Sequence, residues 1–152
     1  MWFSRIQVAK LPDGAGGGLP APTLTPQLTT KRLGDAAETA ALNYLVKTGM
    51  KRVESNYRTP GRGGGEIDLI MRDGDGTLVF VEVRKRSGQS HGGAGASISR
   101  VKQQRIIFAA RHYLMRFASP PPCRFDVVLV QGASGINAVL ELEWLQAAFD
   151  AS

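Results

Sequence analysis

Hydrophobic residues recur along the chain with two different periods, and each change of period marks a predicted element. Between Thr29 and Gly49 they return every three or four residues, which predicts an amphipathic helix that the glycine ends. The same spacing resumes after Ser97 or Ser99, either of which is a suitable N-cap, and continues to about Phe117. The sequence therefore predicts two helices with a long non-helical segment between them.

The segment between the helices alternates with a period of two, which predicts strands. EIDLIM (residues 66–71) and TLVFVEVR (residues 77–84) flank the turn sequence RDGDG, and together they predict a β-hairpin. Other strands are predicted at Lys51–Arg58, at RFDVVLV (residues 124–130) and at INAVLEL (residues 136–142), followed by a short helix at Glu143–Phe149.

The predicted order of elements is αβββαββ with a short terminal helix. Because the second helix must cross over to return a strand beside the hairpin, this order predicts an α/β (α+β) fold with helices flanking a mixed β-sheet. Residues 1–28 are rich in proline and glycine and are interpreted as a flexible N-terminal arm. The glycine-rich residues 87–96 are interpreted as a flexible loop. Residues 29–150 are expected to form a single domain.

Composition narrows the class of protein. The 152 residues carry a net charge of +6, which favours a polyanionic partner, and a single cysteine excludes a disulfide framework or a zinc site built from cysteines. No apolar run approaches the roughly 18 residues that a membrane helix needs, and Met1–Lys10 lacks the apolar region of a signal peptide. These features predict a cytoplasmic protein with no membrane partner.

The positive charge is concentrated in one part of the chain. No Asp or Glu occurs between Glu82 and Asp126, whereas that interval holds nine arginines and lysines. A segment of this kind is suited to gripping a phosphate backbone. The alternative is a solvated helix face beside a basic loop, and charge alone does not separate the two.

Two carboxylates in the predicted hairpin are the candidate catalytic groups. If the hairpin turn centres near Asp75, Asp68 lies nearly opposite Glu82 on one face of the sheet. Opposed carboxylates destabilise a sheet unless something neutralises them. Their hard oxygen atoms suit Mg²⁺ or Mn²⁺, which also bind water and phosphate oxygens, so we expect one of these ions as the cofactor.

Arg84 is the third candidate catalytic residue, because it follows Glu82 on the same face of the strand. A fixed cation there can orient a phosphate and a water molecule beside a metal ion, which suits metal-assisted phosphodiester hydrolysis. The alternative is an ordinary cross-strand ion pair of Arg84 with Asp68 or Glu66, and the spacing leaves it open.

Four motifs, in this order along the chain, resemble the YraN family. They are GDAAE (residues 34–38), GEIDLI (65–70), LVFVEVR (78–84) and RFDVV (124–128), and the resemblance covers about residues 28–149. The YraN family is grouped with restriction-endonuclease-like and Holliday-junction-resolvase-like nucleases. The resemblance therefore implies a restriction-endonuclease-like fold and a metal-dependent DNA endonuclease, with branched or structured DNA as a candidate substrate.

The nuclease signature implied by this resemblance is an Asp, a later acidic residue, one spacer and a lysine. Asp68 and Glu82 take the acidic places. Glu38 is implied as an additional metal ligand, although an acidic residue near a helix start is also favoured by the helix dipole. Arg84 stands where the signature has lysine, and it can orient or stabilise but cannot shuttle a proton. Lys85 is adjacent but points to the opposite face unless a bulge turns it.

Six basic residues are the candidate nucleic-acid contacts, namely Arg58, Arg62, Lys85, Arg86, Lys102 and Arg105. DNA is thus the expected partner, while a homodimer and an unidentified protein partner stay open. The alternative function is a non-catalytic nucleic-acid-binding module or subunit that keeps the nuclease fold. The arginine at position 84 keeps this alternative open.

Overall fold

The computed structural model describes residues 3–10, 26–86, 98–132 and 139–151, and within these ranges it describes the side chains from residue 31 onward. Six strands and two helices follow one another in these ranges. They are β1 (Phe3–Lys10), α1 (Pro26–Lys47), β2 (Lys51–Arg58), β3 (Glu66–Arg72), β4 (Leu78–Arg86), α2 (Arg100–Leu114), β5 (Cys123–Gly132) and β6 (Val139–Phe149).

The six strands form one sheet in the order β1-β6-β5-β4-β3-β2. Neighbouring strands are antiparallel except β4 and β5, which run parallel. A parallel pair cannot be joined by a tight turn, and α2 lies in the crossover between these two strands. The sheet is therefore mixed, as the sequence predicts.

The two helices cover opposite faces of the sheet. Successive side chains of a strand point to opposite faces, and the hairpin of β3 and β4 divides its residues accordingly. Leu69 and Val81 belong to the cluster that contains α1, whereas Ile70 and Phe80 belong to the cluster that contains α2. The hairpin is thus buried on both sides, which explains its nearly continuous apolar sequence.

The register of this hairpin is the predicted one. Leu69 pairs with Val81 and Ile70 with Phe80, so the next position along the two strands sets Asp68 beside Glu82. Because side chains alternate, both carboxyl groups lie on the face that α2 covers.

The predicted terminal helix at Glu143–Phe149 is wrong, because these residues are the second half of β6. β6 lies between two strands, with Trp144 aligned with Val128 of β5 and with Ser4 of β1. Hydrogen bonding to a strand on each side and the burial of Trp144 outweigh the helical spacing of this segment.

β1 is a strand that the predicted order omits, so the observed order is βαβββαββ. It lies within residues 1–28, the predicted arm, and pairs with β6 from Phe3 opposite Leu145 to Lys10 opposite Val139. Its partner comes from the other end of the chain, which a local pattern does not reveal. The rest of the predicted arm at residues 11–25 and the predicted loop at 87–96 lie outside the described residues.

The helix starts differ slightly from those predicted. α1 begins at Pro26, ahead of Thr29, and proline suits the first position of a helix because its φ angle is already helical. Ser99, the second of the two predicted caps, is the N-cap of α2. Neither of the described helices is long and apolar enough to cross a membrane.

Candidate metal and phosphate site

Asp68 and Glu82 meet where β3 lies beside β4. Oδ2 of Asp68 accepts a hydrogen bond of 2.9 Å from the backbone N–H of Val83, and the Asp68 carboxyl group lies close enough to that of Glu82 for its negative charge to raise the Glu82 pKa. Glu82 is only 9% exposed. Two ionised carboxylates this close together repel each other, which favours a proton on one of them.

Burial and mutual repulsion keep that proton bound. The pKa of Glu82 rises from 4.5 to about 8, chiefly because burial disfavours its charged form and also because Asp68 is negative. Burial raises the pKa of Asp68 as well, while the hydrogen bond from Val83 opposes that rise. A divalent cation that displaced the shared proton would neutralise both carboxylates.

The oxygen atoms of this pair fit a hard cation. Oε2 of Glu82 is buried and has no hydrogen-bond partner in the described part of the chain, and a buried acceptor of this kind calls for a ligand. No group of three or more Asp, Glu, His or Cys residues within the described ranges is arranged to hold a metal ion. Asp68 and Glu82 would therefore hold Mg²⁺ or Mn²⁺ together with water and phosphate oxygens, a coordination that Mg²⁺ commonly adopts.

Glu38, the predicted auxiliary ligand, lies near this pair on α1. Burial raises the pKa of its carboxyl group, and the negative charges of Asp68, Asp35 and Glu66 raise it further. A hydrogen bond with the side chain of Asn56 opposes this effect. The structure thus brings Glu38 within electrostatic range of Asp68 and holds it with an amide.

Asn56 is a residue of this region that the sequence pattern does not indicate. It lies in β2 with a φ of 54°, in the left-handed region that asparagine tolerates better than most residues. The register of β2 also shifts between Arg52 and Glu54. The sequence signal was an asparagine inside a strand, where this residue is disfavoured.

Lys102 reaches the carboxyl pair from the first turn of α2. Its Nζ lies 3.4 Å from Oε1 of Glu82. Its positive charge opposes the rise in the pKa values of Glu82 and Asp68 without cancelling it. The sequence places Lys102 among the candidate surface contacts with nucleic acid. Its contact with Glu82 joins a helix to a strand, and no local pattern could have indicated it.

A pocket of about 300 Å³ opens beside these residues and is lined by Glu82, Arg84, Ile98, Ser99 and Lys102. Arg84 and Glu82 therefore face the same space, as strand alternation predicts. The pocket also contains the N-terminus of α2, where backbone N–H groups not used within a helix favour anions. This arrangement can hold a metal ion and a phosphate group side by side.

Besides Lys102, two other predicted nucleic-acid contacts are held in ion pairs. Arg58 is exposed and lies 3.3 Å from Glu66, so Glu66 has a partner other than Arg84. Arg86 lies 3.6 Å from Glu143 of β6 and is mostly buried. Arg86 therefore links β4 to β6 across the intervening strand.

The other predicted contacts are exposed. Lys85 lies on the α1 side of the sheet, because a Cβ added to Gly34 of α1 would come 3.9 Å from the Lys85 Nζ. This agrees with the prediction that Lys85 points away from Arg84. Arg62 and Arg105 are exposed on the β2–β3 loop and on α2.

Comparison with known proteins places the chain in a family. The sequence profile described as "Uncharacterised protein family UPF0102" matches residues 37–130. The chain belongs to UPF0102. UPF0102 is the YraN family, so the resemblance predicted from the four motifs is confirmed.

Other UPF0102 proteins are similar over most or all of the chain. The UPF0102 protein of Polaromonas sp. strain JS666 is 69% identical over the full length of both chains. That of Polaromonas naphthalenivorans is 68% identical, again over both full lengths. That of Albidiferax ferrireducens is 63% identical over 81% of this chain and 91% of its own. The names of these UPF0102 proteins state no reaction.

Proposed function

We propose that this UPF0102 protein is a metal-dependent endonuclease that hydrolyses phosphodiester bonds in DNA. The observation that carries the proposal is the close approach of two carboxyl groups, those of Asp68 and Glu82. They lie beside a pocket lined by two positively charged side chains, Arg84 and Lys102. A like-charged pair is costly in an ordinary sheet, and such pairs are typical of functional sites. The mixed sheet with a helix on each face also supports a restriction-endonuclease-like fold, which is part of the proposal.

The site residues have separate roles in this proposal. Asp68 and Glu82 would hold Mg²⁺ or Mn²⁺, and Glu38 would act through its negative charge near Asp68, since the described residues offer no third acidic ligand. When bound, the ion activates a water molecule and stabilises the negative charge that develops on the phosphate. Arg84 binds and orients the scissile phosphate in the pocket.

Hydrolysis exchanges one bond at phosphorus for another. The water oxygen forms a bond to phosphorus, and the bond from phosphorus to the leaving ester oxygen breaks. The water loses one proton to solvent, and the leaving oxygen takes one up. The protein's part is to hold the phosphate and water in position and to offset the added negative charge.

DNA is the proposed substrate because its backbone matches the charge distribution of the protein. The net charge is +6, and no acidic residue lies between Glu82 and Asp126. A Cβ on Gly65 would come 1.9 Å from the carbonyl oxygen of Arg105, so the loop that carries Arg62 packs directly on α2. The basic side chains of the β2–β3 loop and of α2 therefore lie next to one another, where a DNA backbone could contact both. Branched or structured DNA is the first substrate to test.

The test is cleavage of linear, flap and four-way-junction DNA with Mg²⁺ or Mn²⁺. Asp68→Asn and Glu82→Gln keep the size of each side chain but remove its charge, and each is expected to lower the rate about 10²-fold or more. Glu141→Gln is the matched control, because Glu141 is an exposed strand residue outside the pocket. Cleavage that both site variants retain at the original rate would refute the site assignment.

A non-catalytic DNA-binding module is the second candidate function, and Arg84 is the observation that favours it. Arginine cannot give up a proton at the position that faces the pocket. This function predicts DNA binding that weakens steeply with added salt, without cleavage under either ion. Salt-dependent binding by both Asp68→Asn and the original protein, with no cleaved product, would support it over the nuclease.

A further inference from the structure

Lys102 occupies a fixed position beside the carboxyl pair. Its backbone N–H donates a hydrogen bond to Oγ of Ser99 at 3.2 Å, and its Nζ lies 3.4 Å from Glu82. The side chain of Gln103, the next residue, donates to the carbonyl oxygen of Ile98 at 2.9 Å. These two hydrogen bonds fix the first turn of α2, which carries Lys102, to the residues just before it.

We infer that Lys102 is a catalytic residue of this site, where it contacts the scissile phosphate and the attacking water. The inference rests on the proposed function and gives Lys102 a role that differs from a contact with the DNA backbone. Arg105 on the same helix is exposed and is not among the residues that line this pocket. Lys102 instead shares its pocket with Glu82 and Arg84.

The chemistry of an ammonium group suits this position. Lysine has three N–H donors on a compact charge, whereas arginine has a rigid planar fork. One donor of Lys102 is directed to Oε1 of Glu82, and two remain for other acceptors. Lys102 can therefore contact the metal ligand, a water molecule and a phosphate oxygen together.

Charge balance in the pocket supports the same role. Asp68 and Glu82, when ionised, balance one divalent cation. Lys102 and Arg84 line the same pocket, and their positive charges can offset the single charge of a phosphodiester and the second charge that develops during water attack. Catalysis comes from groups that match the charge of the transition state better than that of the substrate.

The first experiment measures single-turnover cleavage at saturating DNA with Mg²⁺, and DNA affinity with Ca²⁺. Lys102→Met is expected to lower the cleavage rate about 10²-fold and to weaken DNA binding by less than about tenfold, since DNA meets many cations. Lys102→Arg keeps the positive charge, and its cleavage rate is expected to lie between that of Lys102→Met and that of the original protein. Lys51→Met, an exposed lysine at the far end of β2, is the control. An unchanged rate in Lys102→Met would overturn the inference.

The second experiment separates this inference from the proposed function. Calorimetry follows thymidine 5′-monophosphate binding to the Mn²⁺-loaded protein, and thermal melting checks that each variant is folded. We expect binding about tenfold weaker in Lys102→Met and unchanged in Lys51→Met. If the original protein cleaves no DNA, the nuclease proposal fails, and this titration still decides on Lys102. Equal affinities in the two variants would then refute its contact with phosphate.

Discussion

At the scale of single residues, Asp126 shows how a buried charge can be structural. It is fully buried, and its carboxylate accepts hydrogen bonds from Nε of Arg124 at 3.1 Å, Nε1 of Trp144 at 3.0 Å and the backbone N–H of Ala147 at 2.9 Å. Arg124 in turn pairs with Asp73 at 2.9 Å. Asp126 therefore ties β5 to β6, whereas Glu82 has a buried oxygen with no such partner among the described residues.

Asp126→Ala is expected to cost about 3–5 kcal/mol of unfolding free energy, because it leaves the half-buried Arg124 with only one of its two carboxylate partners and leaves the Trp144 and Ala147 donors without their acceptor. Urea denaturation measures this loss. Glu141→Ala, at an exposed position of β6, is expected to change stability by less than about 0.5 kcal/mol. A cost below about 1 kcal/mol for Asp126→Ala would mean that the network contributes little.

At the scale of elements, the hairpin was predictable, and the second half of the last strand was not. The RDGDG turn and the alternation on either side are local signals, so they set both the hairpin and the register that brings Asp68 beside Glu82. β6 depends on two partner strands, one of them β1. The sequence predicted its first half as a strand, but the local pattern of its second half, Glu143–Phe149, suggested a helix. The contact of Lys102 with Glu82 and that of Asn56 with Glu38 also join distant segments, which explains why sequence reasoning missed them.

The packing of the β2–β3 loop on α2 is an element-scale feature that mutation can test. Gly65 is buried, and a Cβ there would come 1.9 Å from the Arg105 carbonyl oxygen. Gly65→Ala must push the loop and helix apart, which is expected to cost about 1–3 kcal/mol or more. Gly74→Ala is the matched control, since a Cβ at that position has nothing within 4 Å. Similar unfolding free energies for the two variants would contradict the close contact.

At the scale of the whole molecule, the acidic site opposes the stability of the fold at neutral and alkaline pH. A folded-state pKa above the unfolded value means that the folded protein holds the proton more tightly. The pKa of Glu82 rises from 4.5 to about 8, and those of Asp68, Asp126 and Glu38 rise in the same direction. The stabilisation from Glu82 is therefore complete below pH 4.5 and is lost as the pH rises through about 8.

Metal binding should reverse this loss, because a cation replaces the proton between the two carboxylates. Mn²⁺ binds the ionised groups, so its affinity rises with pH until Glu82 is ionised. At 100 times its Kd, an ion that binds only the folded protein adds about 2.7 kcal/mol. Thermal melting should therefore show a larger rise in Tm with Mn²⁺ at pH 8 than at pH 6. Glu82→Gln should flatten the pH dependence of the metal-free protein and abolish the rise with Mn²⁺. An equal rise in Tm at both pH values, or one that persists in Glu82→Gln, would place the ion elsewhere in the protein.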